Sequence, residues 1–522
     1  MSTPAAVAIL IRAHWRRDRW LLFAWITGGC FLYFSQAKSV EAMYPTAEDL
    51  EQAAVAMSSN QAMLAMTGPA RALDTIGGQV AWQSAAYGAV VAGLMSMLIV
   101  GRHTRMEEET GRAELIRAGA IDRLAPLASA VGLAMLANVV LGSVVGGGLI
   151  AYGLPAAGSM TLGASLTLVG WVFTGVAAVA AQLSVGTRTA YAITSVAIGA
   201  SFFVRGLGDA GPAAVSWFSP IGWGQATRPF ADERWWPLAL SAAATGGLLT
   251  IAVWLHGRRD YGTGLWTLTA RRTPDTDIGA WALAWKLHRG TIIGWSLGLL
   301  ISGLGYGALA DSADDVLGDS DFTADLFAGT TLVDGFLSTA VLMLALLAAA
   351  AATVSALRPD GEESAGRVEH LLAGPLHRSR WALQHTVVTV LGTVTVLLSA
   401  GIGTGIAHAA VTTDADAVWP PVAAALSYLP AVLVVTAVIR LAHGLGWASA
   451  VVGWTALAWC SFVGLFGDLM ALPSSVTMLS PFEHVARMPA DQFAVVPWVA
   501  LCGVALCVSV AGQALLAHRD LR

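Results

Sequence analysis

Long apolar runs, separated by short segments that collect the charges, set the pattern of this chain. A hydrocarbon core takes about 20 residues of helix to cross. Runs of that kind fall at 20–36, 80–101, 125–152, 160–182, 188–205 and 236–256, then at 290–310, 335–357, 381–410, 420–441, 446–466 and 494–517. The pattern predicts about twelve spans. The alternating segments of a membrane β-barrel are missing, so the fold class is an all-α polytopic membrane protein.

Composition sharpens this. Of 522 residues, 56% are hydrophobic and 12% charged, against about 25% charged in a soluble domain, which excludes a water-soluble enzyme. Many of the 56 glycines lie inside the apolar runs, where small residues let helices approach closely. The four cysteines, Cys30, Cys460, Cys502 and Cys507, also lie in apolar stretches without metal-ligand spacing; they read as small buried hydrophobes. The net charge of -5 is spread over loops and points to no nucleic acid. The basic start, Arg12, Arg16, Arg17 and Arg19, leads into a full-length run rather than a short cleavable signal segment, so the first span is expected to stay as an anchor.

Lys and Arg gather before the first span, in 102–123, 257–289 and 358–380, and at Arg519 and Arg522, whereas 311–334 holds Asp311, Asp314, Asp315, Asp319, Asp321, Asp325 and Asp334 with neither. The positive-inside rule then puts both termini and the basic loops on the cytoplasmic side of the cell membrane. The acidic loop is a solvated external loop or an attractor for cations. Residues 1–19 place Val7, Ile11 and Trp15 on one helical face and Arg12, Arg16 and Arg19 on another, the pattern of an interfacial amphipathic helix; a disordered basic tail is the alternative. The organisation predicted is 1–19 amphipathic helix, 20–256 first six-span half, 257–289 cytoplasmic linker, with Arg258, Arg259, Arg271 and Arg272 around Pro274 facing lipid headgroups, and 290–522 second half.

The halves repeat. Glu107-Glu108-x-x-Gly111-Arg112-x-Glu114 returns 255 positions later as Glu362-Glu363-x-x-Gly366-Arg367-x-Glu369. Ala118-Gly119 and Arg123 match Ala373-Gly374 and Arg378, giving eight identities over 107–123 where ordinary residue usage gives about one. Trp25 with Trp295 and Ser219-Pro220 with Ser480-Pro481 extend the correspondence. The chain is two parallel six-span repeats, as some transporters are.

Each repeated loop falls between a second and third span. Thr104-x-x-Glu107 and Asp360-x-x-Glu363 have capping-box spacing, and Glu108 with Arg112 makes a favourable i,i+4 pair, so each loop reads as a short helix. Such a helix is a capped surface element or a docking knob for a two-fold symmetric cytoplasmic partner. Capping explains the charges but not the recurrence of Gly-Arg-x-Glu in both halves. With Arg105 ahead of the motif, Leu115 behind it and Ser-Pro between fifth and sixth spans, the chain resembles the type-two permease family of ATP-binding-cassette exporters. More narrowly it resembles the fused actinobacterial form described as exporting polyketide antibiotics of the tetronasin kind. The resemblance implies coupling helices at 102–123 and 358–380, docked on two copies of a separate nucleotide-binding ATPase that uses ATP and Mg. It also implies a connecting helix at the N-terminus, re-entrant or external helices at 211–232 and 471–491, and a hydrophobic or amphipathic cargo. Leu115, Arg117 and Arg105 become His370, Leu372 and Asp360 in the second copy, so the two docking sites are expected to differ.

The chain itself has no Gly-x-x-x-x-Gly-Lys-Ser/Thr; its lysines are Lys38 and Lys286, so an ATPase must be a separate polypeptide. No catalytic constellation or metal-ligand cluster stands out, and no cofactor is expected in this chain. A path for cargo is expected from polar and aromatic residues that interrupt the spans: Gln83, Ser84 and Tyr87, Thr194, Ser201, Phe202 and Phe203, then Ser338, Met343, Trp454 and Phe462. Ordinary helix packing explains each of them equally well. The rival is an ion-driven secondary transporter of the major-facilitator type. The paired glutamates, the second copy of the loop and few ionisable residues deep in spans, His385 and Arg440 being the nearest, weigh against it.

Overall fold

A computed structural model describes residues 3–59, 64, 66–117, 119, 121–260, 264, 279–310, 332–374, 376–467 and 472–519. The acidic positions from Asp311 to Asp325, the linker residues Arg271, Arg272 and Pro274, and Arg522 lie outside them. All regular structure among the described residues is helical. The chain divides into two units, Met1–Thr273 and Pro274–Arg522, and the division falls inside 257–289.

Unit 1 contains α1 (Thr3–Met43), α2 (Ala47–Ser59), α3 (Ile76–Arg102), α4 (Arg105–Glu109), α5 (Arg112–Arg117), α6 (Ala125–Tyr152), α7 (Ala156–Leu183), α8 (Thr187–Ala210), α9 (Pro220–Gln225) and α10 (Trp236–Arg258). Helix α7 is its hub, packed on α3, α6, α8, α9 and α10. The α6–α7 crossing is tight because Gly142 and Gly163 face each other; a methyl group on either would collide with the other's carbonyl oxygen. Leu133, Leu141, Val145 and Leu162 fill the interior beside it.

Unit 2 contains α11 (Ala280–Leu309), α12 (Leu332–Ala356), α13 (Arg358–Ser364), α14 (Arg367–Leu372), α15 (Arg378–Thr412), α16 (Trp419–Ser427), α17 (Leu429–Leu445), α18 (Ser449–Phe466), α19 (Ser474–Thr477) and α20 (Val495–His518). Helix α11 lies along α15 and α17 lies along α20, while α12 packs on α15, α17 and α18. Leu344, Leu397, Val432 and Ile439 form its core.

The structure amends several readings. Among the described residues ten helices are long and apolar enough to cross a membrane, with Ser449–Leu465 a shorter apolar helix. The other expected span, 20–36, belongs to α1, which runs unbroken for 41 residues from the basic segment through it. The packed face of α1 is Ala6, Leu10, His14, Asp18 and Leu22, one position off the predicted Val7, Ile11 and Trp15 stripe; Trp15 is exposed. Two ionisable residues sit on that face because they meet charged partners from α3 and α4. Cys30 and Cys460 are buried, but Cys502 is only half-buried and Cys507 exposed. Among the described residues of 211–232 and 471–491, expected as re-entrant or external helices, lie short helical elements, one of which in each segment begins at the repeated Ser-Pro, its serine fully buried. Ser219 caps α9 by accepting from Gly222 N at 3.2 Å.

Candidate functional site

Each repeated loop is two short helices broken at a glycine, not one helix. Gly111 separates α4 from α5 with φ of 72°, and Gly366 separates α13 from α14 with φ of 69°. That left-handed conformation favours glycine, which accounts for the glycine of the repeated motif. The capping boxes do not form. Thr104 turns its hydroxyl to Val100 O at 2.6 Å and caps nothing, while Asp360 lies inside α13.

Three successive glutamates of the first loop reach three different parts of unit 1. Glu107 accepts from Arg17 of α1 at 3.0 Å and lies 3.6 Å from His103 Nδ1. Glu108 accepts from Arg105 at 2.9 Å and from Arg259, which follows the last span. Glu109 accepts from the backbone N–H and hydroxyl of Thr187, at 2.7 and 2.8 Å, at the start of α8. The predicted Glu108–Arg112 pair is therefore absent among the described residues. Long-range guanidinium groups, each able to donate several hydrogen bonds, have taken its carboxylate.

Arg259 is held in turn: Arg123, at the entrance to α6, donates to its backbone carbonyl. The second half builds the same clamp from equivalent residues. Glu363 accepts from Arg519, which follows α20, and Arg378 donates to Arg519 O at 2.6 Å. His443 of α17 stands 2.7 Å from the other Glu363 oxygen. In each unit one loop glutamate and two arginines thus join the loop, the entrance to the third span and the exit of the last.

Outside this clamp the loops differ. In the first, His14 and His103 stack face to face at 3.9 Å, His103 Nε2 lies 2.8 Å from Asp18, and Arg102 meets the same Asp18 oxygen at 2.9 Å. Burial, with His103 against it, pulls His14 down to about 4. Donor atoms of His14, His103 and Glu107 lie within 4.8 Å of one another, which suggests a metal centre. The rings, however, are inclined by only 16°, so their in-plane lone pairs run alongside each other rather than converge, and Arg17 already holds the Glu107 oxygen. The cluster is an ion-pair network. In the second loop Glu362 instead forms a two-pronged bond to Arg367, at 2.7 and 3.1 Å. Arg112 and Glu114 are exposed in the first loop, as are Arg367 and Glu369 in the second.

The residues expected along a cargo path are placed within each unit as follows. In unit 1, Gln83 bonds Gln36 and donates to Gln79 at 3.0 Å, and Ser84 is buried with no hydrogen-bond partner among the described residues. Tyr87 and Phe202 rings lie 5.8 Å apart, Thr194 bonds its own helix at Ala190 O, and Ser201 meets Ser219 at 2.8 Å. Phe203 is exposed. In unit 2, Ser338 bonds Gly335 O, Met343 receives the Tyr306 hydroxyl at 3.7 Å, and Trp454 and Phe462 are exposed on α18. Sequence reasoning missed Arg205 on α8. It is fully buried, set 4.5 Å from the Phe202 ring, and bonded to Asp209 at 3.3 Å and Met66 O at 2.8 Å. Arg259, expected to face lipid headgroups, is instead buried against Glu108, and Arg519, read only as a mark of topology, holds Glu363; their matching places just past the last span of each half were the signal for the clamp.

A two-unit helical membrane protein with matching charged loops and a clamp repeated in each unit is built as a transport permease. The comparisons identify which kind. The chain is 34% identical to the multidrug efflux system permease protein Rv1217c of Mycobacterium tuberculosis over 524 aligned positions, covering 98% of this chain and 95% of that protein. Residues 278–517 match the family described as "Multidrug efflux system permease Rv1217c, C-terminal domain". The chain belongs to this permease family. The match supports an exporter permease and lends nothing to the narrower tetronasin-like form.

Proposed function

We propose that the chain is the membrane subunit of an ATP-driven exporter of hydrophobic or amphipathic compounds, including drugs. Two copies of a separate nucleotide-binding ATPase, carrying ATP and Mg, would dock on its two loops. The carrying observation is the division of labour within each motif. Glu107, Glu108 and Glu363 are turned into the protein as struts, while Arg112 and Glu114 on one loop and Arg367 and Glu369 on the other face outward at equivalent places. Gly111 and Gly366 set the bend that presents them. A charged knob braced to the ends of the spans can pass a push from a partner to the bundle, because the clamp ties loop displacement to helix displacement. Both termini and the loops then lie on the cytoplasmic face of the cell membrane.

The test is co-expression with a nucleotide-binding subunit and measurement of ATPase bound per permease in membranes. Arg112→Glu together with Arg367→Glu is expected to abolish binding while the permease keeps its melting temperature; binding equal to wild type sinks the docking assignment. A buried His288–His385 contact of 2.9 Å favours the ion-driven reading. Transport that collapses with an uncoupler at constant ATP would establish that reading instead.

A further inference from the structure

At the loop-bearing end of unit 2 a small, partly open pocket lies among α12, α15, α17 and α20, lined by His385, Thr386, Thr389, Thr436, Arg440 and His443. Arg440 donates to the side-chain oxygen of Gln513, and the Gln513 amide is oriented by its own bond to Ser379 O at 2.7 Å. A neutral amide is thus its partner; among the described residues no carboxylate pairs with it. The nearby acids are engaged elsewhere, Glu363 with Arg519 and His443, and Asp360 at 4.0 Å from His443. A guanidinium set among packed spans without a counter-charge is costly, and an open pocket lies against it.

A second donor points the same way. Thr389 and Ser355 hydroxyls lie 2.9 Å apart, Ser355 lies 2.6 Å from His288 Nδ1, and His288 Nε2 lies 2.9 Å from His385 Nδ1. When Ser355 donates to His288 and His288 donates on to His385, the His385 proton resides on Nε2, on a ring that lines the pocket. An anion in the pocket selects that direction of the chain. Arg440 also stands within about 8 Å of the end of α17, at 1.5 Å of rise per residue, which is headgroup depth rather than bilayer centre. Taking Arg259 and Arg519 as equivalent, the first-half counterpart of Arg440 is the buried Ala180, so unit 1 lacks this cation.

We infer that the pocket binds a phosphate-type oxyanion through Arg440 and His385, and that its source is the headgroup of an anionic phospholipid, drawn as basic pockets between spans draw such lipids. Occupied, it links α17 to α15 and α20 beside the second loop, giving unit 2 a lipid dependence that unit 1 does not share.

The test uses the full chain, delipidated in detergent and titrated with phosphatidylglycerol, phosphatidylcholine or inorganic phosphate, with bound lipid counted by native mass spectrometry. Wild type is expected to retain one phosphatidylglycerol that Arg440→Gln binds about tenfold more weakly, the loss of a charge-assisted hydrogen bond. Arg440→Lys is expected to recover most of the affinity, and Arg188→Gln, an exposed arginine of unit 1, to leave it unchanged. Inorganic phosphate that binds with the same dependence on Arg440, and to the exclusion of lipid, would overturn the lipid source. Equal phosphatidylglycerol binding by wild type and Arg440→Gln would overturn the site.

Discussion

The first and second loops share a motif but are anchored differently. Both carry the glutamate–arginine–arginine clamp, Glu108 with Arg259 and Arg123 in one, Glu363 with Arg519 and Arg378 in the other. Each is also tied to the first helix of its own unit, the first through Glu107 with Arg17 and the stacked His14 and His103, the second through Arg358, which donates to Leu287 O of α11 at 3.0 Å. The counterpart of His14 in the second half, in the register set by Trp25 and Trp295, is the buried Ala284, and the largely buried Glu362 pairs with the exposed Arg367. The shared part fixes where each loop sits; the unshared part is the chemistry of the tie to the first helix, carboxylates and stacked imidazoles in unit 1 and one arginine–carbonyl bond in unit 2.

The largest expected effect breaks what is common. Arg259→Met and Arg519→Met each take the guanidinium from a largely buried glutamate, leaving Glu108 with Arg105 and Glu363 with His443, and are expected to cost on the order of 2 kcal/mol, the loss of a hydrogen bond to a charged group, read as similar falls in stability when the purified protein is unfolded by denaturant. A loss confined to one half would end the equivalence.

Acidification probes the imidazole pair at the first loop. His14 sits near 4 in the folded protein, below its ordinary value of about 6.5, so the unfolded chain binds more protons between those limits. The stability of the neutral, buried ring is complete above pH 6.5 and drains away as pH falls toward 4. Melting temperature is expected to drop by a few degrees between pH 7 and 5, and His14→Gln to flatten that drop.

A smaller and symmetric effect comes from the turns. Gly111→Ala and Gly366→Ala meet no neighbour within 4 Å, so only the left-handed backbone resists, at about 1 kcal/mol each. Unequal costs would mean that one loop does not need its bend. Smallest of all, Glu362→Gln releases an exposed arginine and is expected to change stability by less than about 0.5 kcal/mol, while altering ATPase binding at the second loop and not the first.

The sequence made the spans and the repeat readable because a bilayer demands long apolar runs and because eight identities in one loop exceed chance. Local rules failed where distant residues outbid them. Glu108 ignored Arg112, four residues away, for Arg259, separated by 151, and Thr104 spent its hydroxyl on the preceding turn instead of a cap. The α1 stripe was misplaced by one position because its packed face holds His14 and Asp18, polar residues that apolar periodicity passes over. The clamp itself was legible in part: Arg123 and Arg378 stood in the repeat, but nothing in a linear pattern announces that Arg259 and Arg519 fold back on them.

The most direct measurement is uptake of a hydrophobic dye by inverted membrane vesicles containing this chain and its ATPase, energised by ATP with an uncoupler holding the proton gradient at zero. The account predicts uptake by wild type and none by the Arg112→Glu, Arg367→Glu double variant inserted at equal level. Uptake that needs the gradient and not ATP, or a double variant as active as wild type, would contradict it.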